Sequence, residues 1–468
     1  MSYSLADVLS IGYVSTHGTE VIEQIPITGF STDSRTFRQG DCFVAIRGES
    51  FDGHAFVNEA RSKGATCAIV EERFDVKKAN LPLIIVKDTA IAYGRLARLH
   101  RLRFTLPVIA VAGSNGKTTT KEMITAVLSR SFAVISTEGN LNNHIGVPQT
   151  LFRLGKEDEI AVVEIGTNHT GELAYLCDIL RPTHGVITNI GHEHLEFFRT
   201  LDGVERAEGE LFTALGTRGT GFVNTDDPRV LAQAKKLRRR VTYGTEAATV
   251  AVKGDLSSLN ARGCAKFQVR RKGKRAFPVS LNVPGMHAMN NALAAVTIGL
   301  HFGVPVTQIQ SALSEFRAVS KRMEVVEING VIVINDTYNA NADSMISALN
   351  TLGAMTCSGK KVAVLADMLE LGSESQKQHT LVGKAVASSG AEYLLTFGTM
   401  AKAIHDAATV PTKFHYDQKN VLSEYAAELL LPGDILLVKG SRGMKMEDVV
   451  TFLQLRLGRI PGGTITHS

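Results

Sequence analysis

Val108-Ile109-Ala110-Val111-Ala112-Gly113-Ser114-Asn115-Gly116-Lys117-Thr118-Thr119-Thr120 is the stretch that decides the fold. Its apolar, β-branched start predicts a buried parallel strand, and the residues from Lys117 onward suit a helix. Strand, glycine loop and helix start together make a phosphate cradle. Backbone N–H groups and the positive helix end face the anion, a lysine reaches the outer phosphates, and a hydroxyl holds Mg²⁺. Gly113, Ser114, Asn115, Gly116, Lys117, Thr118 and Thr119 are therefore candidate ATP contacts. The strict P-loop pattern needs a glycine five residues before Gly116. Val111 stands there, so the loop is a shortened variant.

Downstream of the loop, Ile160 to Gly166 predicts a second buried strand ending in Glu164, and Gly185 to Gly191 a third that runs into His192-Glu193-His194. Ligands of open parallel sheets sit beyond the carboxyl ends of the strands, so Glu164 and His194 are expected to converge on the phosphates, with Glu164 a second anchor for Mg²⁺. Histidines two apart do not share a helix face, which argues against a zinc site at His192 and His194. Val204 to Leu215 predicts one helix, and 245 to 282 predict β-hairpins with turns at Gly254 and Gly273. Helices follow at Asn290 to Phe302 and Val306 to Phe316.

Residues upstream, 1 to about 88, alternate strand and helix signals, as expected of a small α/β domain, and Ala90 to Arg103 reads as an amphipathic linking helix. Two polar turns, Thr32 to Arg35 and Arg47 to His54, suit a nucleotide or sugar-phosphate ligand, although ordinary surface turns share that composition. From about Ala318 the βαβ rhythm resumes. Strands at Val331–Ile334, Lys361–Leu365 and Ile435–Val438 each run into a polar cluster, and none carries GxGxxG.

A chain of 468 residues suggests about three domains. Its 44% hydrophobic and 21% charged residues are ordinary globular usage, and a net charge of +5 argues for neither a nucleic-acid nor a membrane partner. The basic runs at 235–240 and 270–275 read as a solvated helix end and a charged hairpin turn. Five scattered cysteines form no C-x-x-C pair, which suits a reducing compartment. There is no signal-peptide pattern and no apolar run near the ~20 residues of a membrane span, so a cytoplasmic protein is expected.

With these residues assembled, the chain resembles the Mur ligases, ATP-dependent enzymes that add amino acids to the UDP-linked peptidoglycan precursor. The shortened loop Gly113 to Thr119 is the form shared across that family, including folylpolyglutamate synthases. Gly139 to Pro148, Asn168 to Glu172, Asp336 to Asn341, Asp367 to Gly372 and Lys439 to Arg442 carry the resemblance further, toward members that add D-alanyl-D-alanine to UDP-N-acetylmuramoyl-tripeptide.

The resemblance implies three α/β domains: a UDP-binding domain with its linker (1–103), a central P-loop parallel sheet that binds ATP (104–317), and a C-terminal Rossmann-like ligase domain (318–468). It implies substrate contacts at Asp33, Ser34, Arg35, Arg47, Asp52, His54, Asn140, Asn143, Asn168, Asn339 and Asn341. Thr118, Glu164, His194 and Glu208 would hold Mg²⁺, with Lys117, His194, Arg322 and Glu208 catalytic. Arg322 would reach the γ-phosphate, His287 and Asn291 would border adenine, and Asp336 would lie near ribose or phosphate. A monomer is the expectation. Relatives carry a carbamylated lysine at the position of Glu208, an asparagine at that of Ala288, and smaller residues at those of Glu193 and Phe198. Alternatives are the ligase that adds the third amino acid, a folylpolyglutamate synthase, a phosphotransferase, or an ATP-binding scaffold without catalysis.

Overall fold

Twenty strands build the molecule, seen in a computed structural model that describes residues 2–35, 37–48 and 51–458. The N-terminal strands are β1 (Ser15–His17), β2 (Phe30–Ser31), β3 (Cys42–Val44), β4 (Cys67–Glu71) and β5 (Leu83–Val86). The central ones are β6 (Val108–Ala112), β7 (Val134–Ser136), β8 (Ile160–Glu164), β9 (His184–Ile187), β10 (Thr220–Asn224), β11 (Arg239–Gly244), β12 (Val252–Leu259), β13 (Cys264–Arg270) and β14 (Phe277–Pro284). The last are β15 (Glu324–Ile328), β16 (Val331–Asp336), β17 (Lys361–Ala366), β18 (Tyr393–Phe397), β19 (Thr412–Tyr416) and β20 (Ile435–Lys439). The three expected α/β regions are present. By chain contacts the molecule divides into two compact units: 1–108 with 135–165 and 174–182, and 109–134 with 166–173 and 183–468.

In the first unit the strand order is β1-β5-β4-β3-β2, parallel except for β1 against β5. The period-2 rule sorts its core. Cys67, Ile69, Ile84 and Val86 pack with Tyr3, Val8 and Leu96 on one face, and Ala68, Val70, Leu83 and Ile85 pack with Phe43 and Val57 on the other. The linking helix, Thr89–Arg101, is capped by Asp88 and lays Ala92, Tyr93 and Leu96 on the first face. Strands β7 and β8 are neighbours in this unit too.

The second unit holds the run β14-β13-β12-β11-β10-β9-β6, parallel from β6 through β12 and antiparallel thereafter. All five residues of β6 are fully buried, as its apolar run demands. Helices Lys117–Leu128 and Met286–His301 pack together at Gly299, where a Cβ would sit 2.5 Å from a Val127 methyl. The C-terminal sheet runs β15-β16-β20-β17-β18-β19, parallel apart from β15, around a core that includes Val333, Val364, Leu436 and Leu453.

Several expectations need correction. Gly254 lies inside β12, not at a turn; a Cβ there would press on Leu293 and Met289 at 3.1 Å, so the glycine lets a helix approach the strand. The turn falls at Asn260 to Gly263, and the one at Gly273 stands, both glycines having positive φ. The 204–215 helix is two, Leu201–Glu208 and Glu210–Leu215, broken at Gly209 where the Gln233 side chain crowds the backbone. The first basic run is only in part a solvated helix end: Lys235 and Lys236 close the 3₁₀ turn that continues the helix Pro228–Gln233, but Arg239 and Arg240 already belong to β11. Strands β15, β18 and β19 were not expected at all. Among the described residues the cysteines are free and no helix is long and apolar enough to cross a membrane.

At the start of β9 the half-buried ring of His184 lies among Phe222, His301 and Phe302, with centroids 5.0 to 6.0 Å away. Burial, helped by His301, holds its pKa down at about 4. The unfolded chain therefore binds this proton near pH 6.5 while the folded chain does not until about pH 4, so stability falls as pH drops through that window. A His184→Phe chain is expected to show a flatter acid limb in a Tm-against-pH series, keeping on the order of 2–3 kcal/mol near pH 4.

Candidate functional site

The loop after β6 is short because the strand runs on through Val111 to Ala112. Gly113 turns the chain at φ +117°, and a Cβ there would come within 2.3 Å of the Thr188 hydroxyl. Gly116, at φ +79°, opens the helix Lys117–Leu128, where a Cβ would meet the Asn291 amide at 2.8 Å. Only glycine fits either place. The end of β9 braces the loop: the Ser114 N–H donates to Asn189 O (2.9 Å), the Asn115 N–H to Asn189 Oδ1 (3.0 Å), and Thr188 Oγ1 and Asn189 Nδ2 both donate to Asn115 O (2.7 and 2.8 Å). Asp227 in turn accepts from the Ile190 N–H (2.7 Å). The result is a pre-set anion cradle at a helix N-terminus.

Lys117 Nζ donates to Gly113 O (2.5 Å), with Ser114 O and Glu193 Oε2 each 3.4 Å away. Glu193 is 5% and Glu208 1% exposed, so two carboxylates are buried beside one lysine. Burial, reinforced by the Glu193 carboxylate and opposed by Lys117, pushes Glu208 well above the usual carboxylate range. Both Glu208 oxygens, Glu193 Oε1 and Thr118 Oγ1 are buried without a hydrogen-bond partner. Unpartnered buried oxygens are costly unless something fills them, and a hydroxyl with carboxylates is the donor set of a hard cation such as Mg²⁺. Among the described residues no three or more His, Cys, Asp or Glu side chains are grouped to hold a metal unaided.

His194 stands in the left-handed region (φ +47°). Its Nδ1 lies 2.5 Å from Glu370 Oε2 and its Nε2 3.9 Å from Glu193 Oε2. The His192 N–H donates to Asp343 Oδ2 at 2.8 Å. Asn341 caps the helix Ala342–Ala354 by accepting from the Ser344 N–H and donates through Nδ2 to Asn115 Oδ1 (2.9 Å). Asp336 is committed to Lys439 Nζ (2.6 Å) and the Met323 N–H, and Lys439 also donates to Asn339 O. Arg322 lays its guanidinium 3.7 Å from the Tyr338 ring centroid, with Arg442 5.1 Å from the same ring.

Beside the loop opens a cavity of about 80 Å³, lined by polar groups that include Thr188, Asn189, Asn224, His287, Asn290 and Asn291. Amides around a small cavity next to a phosphate cradle suit a nucleobase. His287 is lowered by burial, and its Nδ1 lies 2.9 Å from Ser347 Oγ. Ala288 is fully buried and does not line the cavity, whereas Asn290 does.

In the first unit, Arg35 pairs with Asp33 through two nitrogens and holds it down at about 2, while Ser34 donates to Glu59. Arg47 bridges Asp52 (2.8 Å) and Glu71, and His54 donates to Asp52 through Nδ1 while Nε2 accepts from the Glu71 N–H. Glu49 and Ser50 of this turn lie outside the described residues. The exposed Phe51 stacks on Phe56. Asn143 spends its side-chain oxygen on the N–H groups of Ile145 and Gly146, and Asn140 is exposed. Asn142, not singled out from sequence, donates to Glu164 Oε1 (2.8 Å), leaving Oε2 buried without a partner. In the second unit Asn168 is exposed, its N–H and that of His169 held by Glu172, and the His169 ring packs on Phe197. Glu370, Asp343, Thr188 and Asn189 were also missed as site residues.

Three family models match: the Mur ligase family catalytic domain over 26–101, the Mur ligase middle domain over 111–299, and the Mur ligase glutamate ligase domain over 321–442. The UDP-N-acetylmuramoyl-tripeptide–D-alanyl-D-alanine ligase of Escherichia coli is 36% identical over 436 residues, 92% of this chain and 94% of that one. The enzyme of the same name from Bacillus subtilis is 34% identical, covering 92% and 93%. Among solved structures, MurF from Acinetobacter baumannii superposes with a TM-score of 0.88 at 31% identity (97% and 99% covered), and MurF ligase from Thermotoga maritima in complex with ADP with 0.83 at 27% (92% and 98%).

Proposed function

The chain belongs to the Mur ligase family, and on that premise we propose that it joins D-alanyl-D-alanine to UDP-N-acetylmuramoyl-tripeptide at the expense of ATP. The observation that carries this reading is similarity running through all three domains, 36% over 92% of the chain, to a ligase of that activity. ADP, dipeptide-extended product and inorganic phosphate are the outcome.

The chemistry explains the residues. A carboxylate is a poor acyl donor, so a carboxylate oxygen of the tripeptide attacks the γ-phosphorus, the bond to ADP breaks and an acyl phosphate forms. The unprotonated amine of the dipeptide then attacks the acyl carbon, the tetrahedral intermediate expels phosphate, and the proton from nitrogen passes to a phosphate oxygen. Two anions must meet in the first step. Lys117 and the N–H groups from Gly113 to Thr119 neutralise the phosphates, and Arg322 adds a second cation. His287 and Asn291 border the base.

Thr118, His194 and Glu208 would hold Mg²⁺, which would supply charge neutralisation on the transferred phosphoryl group. Glu208 then provides directly the carboxylate that relatives make by carbamylating a lysine. Asp33, Ser34, Arg35, Arg47, Asp52 and His54 would hold the uridine diphosphate, and Asn168 and Asn339 the peptide end; Asn143 and Asn341 would act through the loops they cap.

Phosphate release tests the reading. UDP-N-acetylmuramoyl-tripeptide with D-alanyl-D-alanine is expected to drive turnover and single amino acids are not. Turnover with a single amino acid alone overturns it.

A further inference from the structure

The His194 ring lies between two acids. Its Nε2 is 3.9 Å from Glu193 Oε2, on the side of Lys117 and Glu208, and its Nδ1 is 2.5 Å from Glu370 Oε2 on the C-terminal α/β region. A carboxylate only accepts, so the short contact requires Nδ1 to carry the hydrogen, which leaves Nε2 as the nitrogen available to the cation site. The neighbouring backbone delivers Glu370 to this point independently of the side-chain pair. The Glu196 N–H donates to Glu370 O (3.0 Å), and Gly372, at φ +51°, comes so near that a Cβ would lie 3.2 Å from the Glu196 Cα. Glu370 itself is held at φ +60°, a cost tolerated where surrounding contacts over-determine the conformation.

We propose that Glu370 is a positioning residue: through the hydrogen bond from Nδ1 it fixes the tautomer and ring orientation of His194, so that docking of the C-terminal region presents Nε2 to the cation site. Carboxylate partners of metal-binding histidines act this way in general, and their loss weakens metal binding about 10- to 100-fold. Here the carboxylate comes from a different α/β region than the histidine, which ties the readiness of the site to that docking. The inference rests on the proposed cation role of His194.

The test uses the full chain. In a ring-¹⁵N-histidine sample without nucleotide, with the His194 resonances assigned through their loss in His194→Gln, the parent is expected to show the Nδ1–H tautomer. Glu370→Ala is expected to shift it toward Nε2–H and weaken Mn²⁺·ATP binding about tenfold. Glu370→Gln, whose amide oxygen still accepts from Nδ1, is expected to retain both. The Glu370 side chain is 48% exposed, so neither substitution opens the core. An unchanged tautomer in Glu370→Ala overturns the proposal, as does a shifted tautomer with unchanged Mn²⁺·ATP affinity. His194→Gln separates the two failures: if it too leaves that affinity unchanged, the cation role of His194 is what has failed.

Discussion

A Lys117→Met chain is expected to lose about 10²- to 10³-fold in ATP-dependent phosphate release, with ATP affinity falling alongside. Methionine keeps the length and bulk of the stem, so the backbone loop braced by Thr188 and Asn189 stays as it is. The charge is what goes, and it acts twice. On the proposed reaction it neutralises the phosphates, and in the structure it is the cation beside Glu193 and Glu208. Without it the buried Glu193 loses its cation and Glu208, already pushed up by burial, is driven further toward its neutral form, so a loss of about 1–3 kcal/mol in stability is expected as well. Single-turnover phosphate release and thermal denaturation of the same preparation check both halves.

Substitution of the neighbouring acid is expected to have the opposite sign in the two measurements. Glu208 is buried with neither oxygen partnered, so Glu208→Met removes a strained acid and raises Tm, worth about 1–3 kcal/mol. Turnover is expected to fall about 100-fold, with a higher Mg²⁺ requirement, because a carboxylate aimed at the phosphate site has gone. Parent activity is expected to be indifferent to bicarbonate, since Glu208 needs no carbon dioxide to become an anion. An unchanged Tm with unchanged turnover, or stimulation of the parent by bicarbonate, removes the role assigned to this residue.

What was legible beforehand follows from the range of each signal. The cradle from β6 to the start of the helix Lys117–Leu128 could be read because strand burial, glycine geometry and helix start are all local to the thirteen residues Val108 to Thr120. The buried parallel strands β4, β5, β8, β16, β17 and β20 were legible for the same reason. Strands β18 and β19 were not: at five residues they are as long as β4 or β20, but Tyr393–Phe397 is only half-buried at its ends and Thr412–Tyr416 has no fully buried residue, so their pattern is faint. Gly209 and Gly254 misled because a glycine inside an element marks the approach of something distant, Gln233 in one case and Leu293 with Met289 in the other. The site divides likewise. Glu193 stood out as unusual, but its pairing with Lys117 spans 76 residues and that of His194 with Glu370 spans 176, distances over which one sequence carries no record of contact.

The stack of Arg322 on Tyr338 has one further consequence. A guanidinium held by its flat face keeps its five N–H bonds pointing outward along its rim, so the aromatic ring sets the tilt of the group without consuming any donor. If Arg322 takes the phosphate as proposed, the anion meets a fork already aimed, and the rotational freedom that a long cationic side chain ordinarily surrenders on capture has been given up in advance, at folding. A lysine at 322 has no plane for the ring to hold, so the same charge there would still be searching for its angle when the anion came.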